Sequence, residues 1–142
     1  GCGGAALSKR VFGESIRFIT KRFPHWFCKD FTKYSEREAE LPFDQHQLLA
    51  LVAPRYLYVA SASLDRWADP KGEYLSAYHA SPLYKFYGMK GLESEQMPKI
   101  GEPIMNAVGY HMREGKHNIT PYDWGHYLDF CDKVFGYKVV NK

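Results

Sequence analysis

Two residues in this sequence could share the work of moving one proton. They are Asp65, in S-L-D-R-W-A-D-P at 63–70, and His117, in G-K-H-N at 115–118. A serine hydroxyl is a weak nucleophile until an imidazole takes its proton. The imidazole in turn needs a carboxylate on its other nitrogen, which fixes the tautomer and stabilises the imidazolium. On residue type alone Asp65 and His117 could equally fill two unrelated structural roles, and both readings stand at this point. Trp67 puts a large aromatic ring in the same loop as the acid.

The elements that must position this pair can be read around it. Tyr56 to Ala60 is apolar, aromatic and β-branched, bounded by Pro54 and by small residues, which predicts a buried strand. The Asp65 loop follows, and Asp69-Pro70 offers an N-cap and a first-turn proline for a helix running to about Ala80. Pro82 is expected to start a further turn ending at Gly88, and 88–103 reads as a long loop. Ala107 to Met112 predicts a second strand, after which the loop Arg113–Asn118 carries His117. Thr120-Pro121-Tyr122-Asp123 is a strong helix start, with Trp124, Tyr127, Leu128, Cys131 and Phe135 along one side up to Gly136. Strand, acid loop, helix, long loop, strand, histidine loop, final helix is the layout of the last part of an α/β-hydrolase, whose triad runs serine, acid, histidine. The two loops follow successive predicted strands of one sheet, so they can meet above its edge, where open α/β sheets present chemistry.

Upstream, Gly1-Cys2-Gly3-Gly4 reads as a turn into a helix, with Cys2 a small buried residue and not a nucleophile. Apolar residues at helical spacing predict a helix from Ala5 to Thr20 interrupted at Gly13, with Glu14 a solvated carboxylate beside the break. Residues 24–34 are aromatic and irregular, and 35–40 is a solvated charged run. Asp44 is placed to cap a helix from Gln45 to Val52, closed by Pro54, within which His46 is a hydrogen-bonded structural residue.

The 142 residues are 45% hydrophobic and 25% charged, which fits one globular domain with a core. Aromatic residues make up 16%, which suits either a sugar-handling surface or an aromatic-rich core. The net charge of +3 is scattered, and Lys9-Arg10 and Lys21-Arg22 are too short for a polybasic tract, so no nucleic-acid partner is expected. No run approaches the ~18 apolar residues of a membrane span. Three cysteines without C-x-x-C spacing give neither a disulfide framework nor a zinc pattern, and no metal is expected. The chain opens on glycine and not on Met, as a piece cut from a longer chain would.

Five stretches in register carry a resemblance: P-H-W-F-C-K-D-F at 24–31, E-L-P-F-D-Q-H at 40–46, L-V-A-P-R at 51–55, S-L-D-R-W-A-D-P and G-K-H-N. Together they resemble the glucuronoyl esterases of carbohydrate esterase family 15, the 4-O-methyl-glucuronoyl methylesterases. The resemblance implies an α/β-hydrolase, a three-layer αβα sandwich, of which residues 1–142 would be the C-terminal part of one domain, incomplete without its upstream strands. It implies hydrolysis of the esters of 4-O-methyl-D-glucuronic acid that link glucuronoxylan to lignin, without cofactor, by an extracellular or periplasmic protein expected to be monomeric at full length. It assigns His117 as the triad histidine, Trp67 as a contact to the uronic-acid ring and Glu14 as a hydrogen-bond partner of the ring hydroxyls. Asp65 matches the acid after the penultimate strand, but some members place an acid upstream of the turn at 1–4, so Asp65 is main acid, helper or bystander. The family's G-C-S-R-x-G-K nucleophile motif has no match here, and the chain alone is expected to be inactive. Two other readings stay open: a different α/β-hydrolase carboxylesterase, acting on acetylated xylan or feruloyl esters, and a non-catalytic carbohydrate-binding remnant.

Overall fold

The structure, a computed structural model, describes residues 5–136; the glycine-rich turn at 1–4, with Cys2, lies outside them. Among the described residues, three strands form one sheet in the order β1 (Leu57–Ala62), β3 (Val108–Arg113), β2 (Ile104–Met105). β1 and β3 are parallel, with Leu57 opposite Val108 and Ala62 opposite Arg113. β2 pairs antiparallel with β3, a short strand that the sequence pattern does not announce. A mixed α/β fold results.

Alternation along the two parallel strands decides what each face touches. Val59, Val108 and Tyr110 point to one side and pack on Tyr74, Ala77 and Tyr84 of α3 (Pro70–Phe86). Tyr58, Gly109 and His111 point to the other side, where α4 (Pro121–Phe135) brings Tyr127 and Phe130 against them. The glycine is needed there, since a Cβ on Gly109 would stand 2.4 Å from the Tyr58 ring. The aromatic-rich core is therefore real: Tyr74, Tyr84 and Tyr110 are fully buried. Each hydroxyl finds a partner, Ser94 O at 2.6 Å, Arg55 O at 2.9 Å and Met97 Sδ at 3.4 Å respectively, and the first and last of these pin the 88–103 loop to the body.

Several expectations are corrected. Pro82 does not start a new turn; it lies inside a continuous α3, whose packing on the sheet on both sides of the proline outweighs one missing hydrogen bond. Asp69 does not cap that helix with its side chain. Its buried carboxylate instead accepts Arg10 Nε at 2.7 Å and Nη2 at 3.3 Å. The helix expected over 5–20 is reduced to a 3₁₀ turn at Ser8–Arg10 and to α1 (Ile16–Arg22), because Val11 and Gly13 are both left-handed. Glu14 thus precedes a helix instead of lying on one. In the charged run at 35–40, Glu38 is buried. On α4, the inward positions are Asp123 and Phe130, and the 3.6-residue period leaves Trp124, Leu128, Cys131 and Phe135 on the exposed side.

Asp44 does cap α2 (Gln45–Ala50), in a capping box with Gln47. The same carboxylate accepts the backbone N–H of Ser8 at 2.7 Å and of Lys9 at 3.1 Å, so it also anchors the 3₁₀ turn. His46, within α2, does not make the expected hydrogen bond through Nδ1, which is buried without a partner among the described residues. No helix among the described residues is long and apolar enough to cross a membrane.

Candidate active site

The site starts from two strand ends. Ala62 and Arg113 are paired across β1 and β3, so the loops that follow begin as neighbours. Main-chain bonds extend the pairing beyond the strands: Ser63 N–H donates to Arg113 O at 2.9 Å, and Leu64 N–H to Gly115 O at 2.9 Å. Held this way, the loops bring His117 Nδ1 to 2.7 Å from Asp65 Oδ2. The Asp65 side chain is 6% exposed and the imidazole 61% exposed. A sheltered carboxylate on Nδ1 selects the Nδ1–H tautomer, which leaves Nε2 as the basic nitrogen of an accessible ring. That arrangement can accept and return a proton at Nε2.

Glu14 and Trp67 meet by a different route. The backbone N–H of Glu14 donates to Trp67 O at 2.9 Å. Both residues line a cleft of about 180 Å³ whose walls include Val11, Phe12, Trp26 and Phe31. Phe18 sets its edge against the indole at 5.2 Å, and Trp67 remains 48% exposed. Aromatic walls with one carboxylate suit a ligand that offers both C–H faces and hydroxyls. Asp65 and His117 do not line this cleft, yet Asp65 immediately precedes the short turn Arg66–Ala68 that carries the indole. The four sequence-predicted residues therefore fall into two pairs from three segments of the chain, linked through the loop that carries both Asp65 and Trp67.

Behind His117 lies a buried network that the sequence pattern does not announce as a unit. Asp123 Oδ1 accepts His111 Nε2–H at 2.9 Å and Arg113 Nε–H at 3.1 Å. Its Oδ2 accepts Arg113 Nε–H at 2.9 Å, the Thr120 N–H at 2.7 Å and the Thr120 hydroxyl at 2.8 Å. Tyr58 donates its hydroxyl to His111 Nδ1 at 3.0 Å. Burial works against the Asp123 charge, but the hydrogen bonds from His111 and Thr120 and the Arg113 charge outweigh it and hold the carboxyl down at about 2. Burial also lowers the His111 pKa, against the pull of Asp123, so its ring is neutral with the proton on Nε2. The Tyr58 hydroxyl is pushed up by burial first and by Tyr127 next, and stays protonated to donate. Two sequence signals point to this network: Arg113 ends an otherwise uncharged strand, and Asp123 sits at the third position of a capping box. Among the described residues no three His, Cys, Asp or Glu side chains could together hold a metal ion.

Comparisons with known proteins bear on this site. The family model described as glucuronyl esterase, fungi, matches residues 9–88. A carbohydrate esterase from an unknown prokaryotic organism is 48% identical over 132 residues, covering 93% of this chain and 31% of that protein. A 4-O-methyl-glucuronoyl methylesterase of Podospora anserina is 36% identical over 122 residues, covering 84% of this chain and 22% of that protein. The solved glucuronoyl esterase from Solibacter usitatus superposes with a TM-score of 0.86 at 52% identity, covering 93% of this chain and 34% of that one. The chain thus spans at most about a third of the length of these relatives.

Proposed function

Since the chain belongs to the glucuronoyl esterase family, we propose that it forms the acid-and-histidine part of a single α/β-hydrolase domain that cleaves 4-O-methyl-D-glucuronoyl esters through a serine acyl-enzyme. The observation that carries the reading is the 2.7 Å contact between His117 Nδ1 and the sheltered Asp65 carboxylate, which leaves Nε2 available on an accessible ring. In this scheme the serine comes from sequence outside the chain. Its Oγ attacks the ester carbonyl as His117 Nε2 takes the proton, and the imidazolium then gives that proton to the departing alcohol. Water attacks the acyl-enzyme with the same base, which releases the uronic acid and restores the serine. Asp65 keeps the ring in register and offsets its transient charge. Trp67 and Glu14 hold the sugar, the indole against its C–H face and the carboxylate on its hydroxyls. The natural substrate would be the ester between glucuronoxylan and lignin, met outside the cytoplasm.

The test is to supply the full-length protein carrying this chain with methyl glucuronate, acetylated xylan and a feruloyl ester. Preferential hydrolysis of methyl glucuronate is expected. Preference for acetylated xylan or the feruloyl ester would reassign the substrate. An upstream sequence without a serine elbow, together with no hydrolysis, would reduce the protein to a carbohydrate-binding remnant.

A further inference from the structure

The loop that carries His117 is built around one guanidinium. Arg113 Nη1 donates to Glu114 O at 3.0 Å, and Nη2 donates to Lys116 O at 2.8 Å and also to Asn118 O. The last two carbonyls flank His117 on either side. The Nε–H goes to Asp123. The Arg113 and Asp123 side chains are only 7% and 5% exposed, so the group that holds the loop is itself held from within the protein. Asp123 is fixed by Thr120 and His111, and His111 by Tyr58. A continuous series of contacts therefore runs from the sheet and α4 to the backbone on both sides of the imidazole. Gly115 allows the tight wrap: its φ is +113°, and a Cβ there would lie 3.1 Å from Arg113 Nη1.

We infer that Arg113 is a positioning residue for His117, acting through the loop backbone and making no contact with the reacting atoms. The inference rests on the esterase reading above for its kinetic consequence, but its structural claim stands apart from it. A lysine at this position keeps the positive charge beside Asp123. Its single ammonium lacks the planar fork that serves three carbonyls and a carboxylate at once. His117 would then sample orientations in which Nδ1 and Asp65 part, and misplacement by about 1 Å can cost about 10²-fold in rate.

The experiment compares Arg113→Lys and Gly115→Ala with the unaltered full-length protein carrying this chain. It follows kcat and KM for methyl glucuronate, melting temperature, and backbone hydrogen exchange by mass spectrometry. Each variant is expected to lower kcat by about 10- to 100-fold with KM within about 2-fold, and to speed exchange across 114–118 while peptides of the Glu14–Trp67 cleft keep their protection. Unchanged kcat and unchanged loop exchange would overturn the inference. So would a loss that tracks only the amount of folded protein, with normal kcat per folded molecule. If Arg113→Lys does not fold, Gly115→Ala decides, since it leaves the Arg113–Asp123 pair in place. If the unaltered protein hydrolyses no ester, the esterase reading fails by itself; faster exchange at 114–118 would still support the Arg113 clamp and unchanged exchange would overturn it.

Discussion

The backbone N–H of Glu14 donates to the carbonyl oxygen of Trp67 at 2.9 Å, so the two residues that line the candidate sugar cleft are tied by main chain. Gly13 makes the approach feasible: its φ is +70°, and a Cβ on it would stand 2.3 Å from Trp67 O. Gly13→Ala should therefore cost roughly 1–3 kcal/mol of stability, from overpacking and a strained backbone together. In the full-length protein it should also raise KM for methyl glucuronate, because the indole and the carboxylate move apart. Thermal melting and steady-state kinetics check both halves.

His117→Ala in the full-length protein should lower turnover of methyl glucuronate by several orders of magnitude, since triad members act as a unit. Near-normal turnover would remove His117 from the scheme. Asp65→Asn separates the candidate acids. A fall of similar size makes Asp65 the principal acid, whereas an unchanged rate moves that role to a carboxylate upstream of this chain.

Trp67→Ala tests the cleft separately from the proton relay. Loss of one aromatic contact of about 1–1.5 kcal/mol should raise KM for methyl glucuronate by roughly 5- to 15-fold, with a smaller change in kcat. An equal loss in kcat at constant KM would mean that the indole is used only in the transition state.

Acid stability should be governed by the network behind the site. Asp123 is held at about 2 in the folded chain, against about 3.9 when unfolded, so its contribution is complete above pH ~4 and is lost as the pH falls through ~2. A shift of that size amounts to about 2–3 kcal/mol. His111 is shifted below its ordinary value, so the unfolded state takes up a proton below pH ~6.5 that the folded state refuses, and stability declines from there as the pH is lowered. Urea melts between pH 2 and 8 should show both windows. Asp123→Asn should abolish the lower one.

Part of this architecture is legible in the residues alone and part is not, and the division has a physical basis. The strand at 57–62, the strand at 108–113 and the helix starts at Asp44 and Thr120 depend on short-range patterns, and they occur as those patterns predict to within two residues. The His117–Asp65 contact follows from strand order, because parallel neighbours place consecutive loops together. What cannot be read depends on contacts remote in sequence. Asp69 looks like a cap until Arg10 arrives from 59 residues away. Pro82 looks like a helix breaker until the sheet holds α3 on both sides of it. Glu38 looks solvated within a charged run, and only the fold buries it. Arg113 reads as the first residue of a loop, whereas in the fold it ends β3 and each nitrogen of its fork has a partner.

The tyrosine core makes the chain its own alkaline unfolding indicator. Burial raises the pKa of Tyr58, Tyr74 and Tyr110, and that of Tyr84 to about 12. These phenols resist ionisation while the core is intact, and each favours the unfolded state once the pH passes the ordinary tyrosine value of ~10. Tyrosinate absorbance after an alkaline jump should therefore rise in two phases. Exposed rings ionise at once, and the core rings follow only as the sheet parts from α3 and α4, so the slow phase times the opening of the core without any added dye.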